Sequence, residues 1–170
     1  AQTYKGHGTD VALVAGLLGL DTDDEGIISA LETAKEQGVV VNFIPTDLGD
    51  VHPNTAKLVM KKGEKVREVV GSSIGGGNIV ITKIDDFEVS LRGDYFTLVT
   101  VYKDRPGMIA KVTSLLANNN VNIAKMRVSR EDKGAQALMV VETDEYISDE
   151  ILEEIRQTSD ILGAFKVMPI

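Results

Sequence analysis

From residue 95 onward, hydrophobic and polar positions follow a regular order. Tyr95–Tyr102 (YFTLVTVY) is an aromatic and β-branched run that predicts a buried strand, and Asp104-Arg105-Pro106-Gly107 breaks it. Met108, Ile109, Val112, Leu115 and Leu116 then recur at helical spacing, with Pro106 near the first turn and Asn118–Asn120 as the stop. Val121–Arg130 and Gln136–Thr143 read as further strands joined by the charged turn Glu131-Asp132-Lys133-Gly134. Ser148 caps a second helix with Ile151, Leu152 and Ile155 inward, and Ile161–Val167 supplies a last strand. The order β-α-β-β-α-β predicts a ferredoxin-like sandwich, with its helices on one face of an antiparallel sheet.

The earlier part has a different rhythm. Thr9 or Asp10 is expected to cap a helix through Leu20 that is apolar on nearly every side, through Val11, Leu13, Val14, Leu17 and Leu18. Such a helix needs cover all round, from its own domain or another subunit. Thr22 and Glu25 suggest a capping box for a helix ending at Gly38, with Ile27, Leu31 and Ala34 on its inner face. Extended runs follow at Val39–Ile44, Thr55–Lys61, Lys65–Ile74 and Asn78–Ile84, with a continuation through Val89 and Leu91, punctuated by Lys62-Gly63 and Gly75-Gly76-Gly77. The fold class expected is α+β: a first domain over 1–93 with a mostly antiparallel sheet, then the βαββαβ domain over 94–170. The linker Arg92-Gly93-Asp94 is short.

Composition narrows the function. The chain has 170 residues, 43% of them hydrophobic, enough to build a core, and carries 18 Lys+Arg against 26 Asp+Glu for a formal charge of -8. That balance argues against nucleic acid as a partner, because phosphate tracking needs clustered cations. There is no cysteine, which excludes disulfides, thiolate metal sites and a cluster ligated by this chain alone, and only two histidines. Val11–Leu20 is too short to span a bilayer, so no membrane partner and a cytoplasmic location are expected. The opening Ala-Gln-Thr-Tyr-Lys-Gly-His-Gly reads like the middle of a folded segment, and a preceding portion of chain is expected.

Several stretches carry candidate chemistry. Gly6-His7-Gly8-Thr9-Asp10 puts an imidazole between glycines just before a helix, where a proton could be transferred near neutral pH; a solvated capped turn is the plainer alternative. His52-Pro53-Asn54-Thr55 reads as a surface turn. Ser72-Ser73-Ile74-Gly75-Gly76-Gly77-Asn78 lacks the order of a nucleotide-binding loop and precedes a strand, which leaves a tight hairpin or a loop laid against an active site. Asp104-Arg105-Pro106-Gly107-Met108 lies at a strand-to-helix junction whose free N–H groups could hold an amino-acid carboxylate, with Gly107 removing a side chain that would block it; an ordinary Pro-Gly helix entry is equally open. Asn122 is placed to reach such a ligand from a neighbouring copy. Asp21, Asp23, Asp24 and Glu25 lack calcium-loop spacing and read as a solvated helix start.

The segment DRPGMIAKVTSLLANNNVNI within its βαββαβ frame resembles the ACT domain, a small regulatory module that binds amino acids. YKGHGTDVALVAGLLGLDTDDE, followed by HPNT and SSIGGGNI, resembles the β chain of bacterial iron–sulfur-dependent L-serine dehydratases. The resemblance implies that 1–93 is an allosteric substrate-binding type of domain, shared with one class of D-3-phosphoglycerate dehydrogenases. It implies a cysteine-bearing α subunit as partner, holding a [4Fe–4S] cluster, and L-serine as substrate, converted to pyruvate and ammonia. It maps a catalytic candidate onto His7, substrate-binding candidates onto Gly8, Thr9, Gly75, Gly76 and Gly77, and an ACT ligand site onto Asp104, Arg105, Gly107, Met108 and Asn122. Association of copies through the ACT domain is implied too. The family's Ser-Ser-Ser-His-Thr segment has no match in this chain. Alone, the chain is expected to be inactive; the alternative is a non-catalytic serine-sensing module like the C-terminal region of a D-3-phosphoglycerate dehydrogenase.

Overall fold

The computed structural model describes residues 4–130 and 134–170, so Ala1–Thr3 and most of the expected turn Glu131-Asp132-Lys133 lie outside the described residues. The chain divides into two compact units, Ala1–Pro53 and Asn54–Ile170. Compactness therefore cuts the chain before the first sheet, while the sequence pattern changes only near Gly93.

The first unit is helical. α1 (Thr9–Leu17) and α2 (Ala30–Glu36) are joined through a 3₁₀ turn at Glu25–Ser29. Their shared core is Val14, Ala15, Ala30 and Ala34, with Val11, Leu18, Leu20, Ile27, Val41 and Phe43 packed around it. The expected caps shift. Gly8, at φ 68, precedes α1, and neither Thr9 nor Asp10 caps it, because the left-handed turn takes the position a side-chain cap would occupy. Asp24, rather than Thr22, starts the next segment: its Oδ1 accepts the Gly26 N–H at 2.7 Å. At the far end Gly38 N–H donates to Lys35 O and Val39 N–H to Ala34 O, a Schellman stop around a glycine at φ 74. α1 buries Val14 and Ala15 but leaves Leu17 44% exposed, so the described residues of its own unit do not cover it on every side. Val39–Ile44, expected as an extended run, carries no regular secondary structure and pairs with no strand among the described residues; Val41 and Phe43 pack on the helices instead.

The second unit holds two sheets. β1 (Thr55–Lys62), β2 (Lys65–Gly75), β3 (Asn78–Ile84) and β4 (Phe87–Leu91) form an antiparallel meander in that order. β5 (Phe96–Lys103), α3 (Met108–Asn118), β6 (Ile123–Arg130), β7 (Gln136–Thr143), α4 (Asp149–Gln157) and β8 (Ile161–Val167) follow, with sheet order β6-β7-β5-β8. This is the ferredoxin-like arrangement expected from the pattern. Alternate residues separate two cores. Leu98, Tyr102, Met139 and Val141 face α3 and α4, while Val99, Leu138 and Val140 face Ile84, Phe87, Val89 and Leu91 of the meander. Cover on both faces explains why β5 and β7 read as unbroken apolar runs rather than as alternating ones.

Candidate functional site

Three separate places carry the chemistry that the sequence singles out. The first is the turn at residues 4–8 ahead of α1. Gly8 N–H donates to Lys5 O at 3.2 Å and Thr9 N–H to Tyr4 O at 3.0 Å, which closes the turn and leaves neither donor free for a ligand. Gly8 is required by its positive φ, since a Cβ there would meet nothing within 4 Å. His7 and Thr9 are exposed, so the imidazole is presented outward from the head of the helix. Asp10 does the opposite: it is 8% exposed, on the face of α1 shared with Val14, and its Oδ1 has no hydrogen-bond partner.

The second place joins two motifs. The Lys62-to-Lys65 turn sets the β1–β2 register, and that register puts Thr55 opposite Ser72. Their hydroxyls lie 2.7 Å apart, and Ser73 N–H donates to Asn54 O at 3.0 Å. HPNT and SSIGGGN thus meet at one end of the meander, a pairing that hairpin arithmetic from Lys62-Gly63 makes readable but that motif inspection misses. Residues 52–54 are exposed and lead through a turn into Thr55, the first residue of β1 and bonded to β2. Gly75, Gly76 and Gly77, at φ 92, 63 and 79, form the hairpin tip between β2 and β3. The Asn78 side chain donates to the carbonyls of Gly75 and Gly76, each at 3.2 Å, and fastens the tip from one side.

The third place is a cleft of about 310 Å³ at the start of α3, lined by Asp104, Arg105, Gly107 and Met108. Four of the five residues proposed from the sequence for this site are together. Asn122 is not among the lining: its side-chain amide donates to Asp144 Oδ2 and its backbone N–H to Glu145 Oε2, each at 2.6 Å. Gly107 caps α3 at φ 89, but a Cβ would meet nothing within 4 Å. Its positive φ by itself favours glycine, and the space beside it is open to the cleft. Asp104 Oδ2 accepts from Gly134 N–H at 3.1 Å and from the Arg130 guanidinium at 3.3 Å, and Arg105 is drawn to Asp160 at 3.3 Å. Sequence reasoning missed Tyr102, Val128 and Arg130, which also line the cleft. Tyr102 is 2% exposed, and burial first, then the Asp104 carboxylate, pushes its hydroxyl pKa up. Its strand position two residues before Asp104 was the available signal.

The ACT domain family matches residues 96–160. The chain is 42% identical over 167 residues to the probable L-serine dehydratase β chain of Bacillus subtilis, covering 98% of this chain and 76% of that one. It is 38% identical to the L-serine dehydratase β chain of Peptoniphilus asaccharolyticus, over 91% of this chain and 71% of that one. It is also 32% identical to the D-3-phosphoglycerate dehydrogenase of a Synechocystis species, over 92% of this chain but 28% of that enzyme.

Proposed function

The chain belongs to the β-chain family of L-serine dehydratases, and from that premise we propose that it works with a separate α chain to convert L-serine to pyruvate and ammonia. The observation that carries the reading is similarity to such β chains over nearly the whole length. The division of labour follows from ligand chemistry. A [4Fe–4S] cluster needs thiolates, this chain has no cysteine, and its described residues hold no group of three metal-ligating side chains. The residues present do not fit the cluster, so it belongs to the cysteine-bearing α subunit.

What this chain would supply is a wall of the active site. His7 is the group able to take or return a proton near neutral pH, and Gly8 holds the turn that presents it beside Thr9. The Gly75–Gly77 tip is a second, backbone-only contributor. The exposed side of α1, which ends on Leu17, is the surface an α chain would bury. Residues 1–93 form the substrate-binding module in this reading. Residues 94–170 form the ACT module, which contributes assembly between copies or amino-acid sensing at Asp104–Met108, with Asn122 arriving from a second copy. Alone, the chain has no turnover. The test is co-expression with a cysteine-bearing α subunit under anaerobic conditions: His7→Ala should abolish serine turnover while leaving the two chains associated. Unchanged turnover would remove His7 from the mechanism.

A second reading, a serine-sensing module without catalysis, is favoured by the match to a phosphoglycerate dehydrogenase over 92% of the chain. Failure to associate with any α chain, with L-serine still binding at the α3 cleft, would select it.

A further inference from the structure

A second cleft, of about 250 Å³, opens where the end of β4 passes β6 and β7, on the sheet face away from the helices. Arg92, Lys125 and Arg127 line it together with Asp94, Val140 and Glu142. Elsewhere Lys57, Arg67, Lys103, Arg105, Arg130 and Lys166 each pair with a carboxylate. Here three cations and two carboxylates share one cleft and form no ion pair among the described residues.

Glu142 is the sharper anomaly. It is 8% exposed, and among the described residues no hydrogen bond or ion pair holds its carboxylate. Little of the residue as a whole is exposed, yet its carboxylate oxygens are not sealed from solvent and lie on the cleft wall. Its cross-strand neighbour is Lys125, the natural partner, yet the Lys125 ammonium lies over the Tyr95 ring, 4.7 Å from its centroid. Glu142 is left open to the cleft.

The occupant must answer both signs. A plain anion would be drawn by Arg92 and Arg127 but would meet the Glu142 carboxylate at the cleft wall; a plain cation would meet three positive side chains. A molecule carrying an ammonium and a carboxylate on one carbon satisfies both ends, and the cleft, just below the usual range of about 300–1,000 Å³ for drug-sized ligands, suits a molecule of few heavy atoms. We propose that this cleft is an effector site for a small zwitterionic α-amino acid, with the ammonium on Glu142 and the carboxylate on Arg92 and Arg127. Bound there, the ligand ties the end of the meander to the ACT sheet. The site itself stands on the geometry; taking L-serine as the first probe rests on the reading above.

The test is titration of the isotope-labelled full chain with L-serine, glycine, L-alanine and inorganic phosphate, followed by amide NMR. The expected result is saturable shifts for an amino acid at residues 92–94, 125–127 and 140–142, weakened at least about tenfold in Glu142→Gln and in Arg92→Ala. Glu142→Gln removes the charge without changing shape, so its fold should survive, and an unchanged melting temperature without ligand verifies this. Shifts confined to 104–109 overturn this cleft while leaving the ACT reading intact. Phosphate binding that ignores Glu142→Gln reduces the cleft to a simple anion site and overturns the zwitterion. Shifts at neither place with any probe overturn it as well.

Discussion

The two compact units solve the problem of burial differently. In the second, Leu98, Leu116, Leu138, Met139 and Ile155 are fully buried, and each such side chain contributes about 1.5–3 kcal/mol. In the first, the buried core is Val14 and three alanines, while Val40 and Ile44 remain 85% and 79% exposed. Alanines let α1 and α2 approach closely, but they remove little apolar area from water. One unit is therefore built to stand by itself and the other to be completed. His7, the candidate for chemistry, lies on the weaker unit. That placement is consistent with low local stability being found where partners and ligands act.

The largest effect should come from asking each unit for its core. Leu138→Ala empties the space between the two sheets and should cost about 2–5 kcal/mol in urea denaturation. Ala34→Gly, inside α2, should cost only about 1 kcal/mol. Hydrogen exchange adds an independent reading: amides of α1 and α2 should exchange through far cheaper openings than those of β5 and β7. Equal protection in both units would break the comparison.

The same contrast decides how much was legible in the sequence. β7 and β8 are found at the bounds read from the pattern, and Ser148 caps α4 through the Ile151 N–H at 3.3 Å. Strands that bury both faces and helices with one strong apolar stripe leave little ambiguity. In the first unit Thr22 and Asp24 are both acceptable caps, and only the local turn selects Asp24. Val39–Ile44 has the composition of a strand, but strand formation needs a partner, which composition does not record. At the sites, Asp104 to Met108 was legible because chain neighbours share the junction. Arg130 and the Glu142 cleft depend on which strands lie side by side, and no local motif encodes that.

Two glycines sharpen what holds the second unit closed. Gly93 and Gly107 have similar backbone angles, φ 79 and φ 89, so both pay for a side chain in strain of about 1–2 kcal/mol. Only Gly93 has a neighbour in the way: a Cβ there would lie 2.7 Å from Ile170 Cγ1, beside the bond from Ile170 N–H to Gly93 O. Gly93→Ala should therefore lower the melting temperature more than Gly107→Ala. If the two variants melt together, the C-terminal residue is not clamped against the linker, and the self-sufficiency of this unit rests on its sheets alone.

The smallest effect concerns the surface that fastens α4 to β8. Lys166 bonds the Asp149 carboxylate at 2.8 Å, and it also donates to the Tyr146 hydroxyl and to Ile147 O. The hydrogen bond from Lys166, then its charge, holds Asp149 below its usual carboxylate range; the same bond, with the one Lys166 donates to the Tyr146 hydroxyl, raises Lys166 above its usual value. A depressed acid stabilises the fold above its unfolded pKa, and that contribution is lost as pH falls through the folded value. A raised base stabilises below its unfolded pKa and loses that contribution as pH rises through the folded value. Stability from this pair should thus be flat near neutrality and fall at both extremes. Asp149→Asn should flatten the acid limb of a denaturation series. It should leave part of the alkaline limb, because Tyr146 and Ile147 still hold the ammonium. Asp149 is solvent-facing, its side chain 83% exposed against 19% for Lys166, so added salt should shrink the difference between the two proteins. A difference that salt does not touch would mean that Asp149 acts through the first turn of α4 rather than through Lys166.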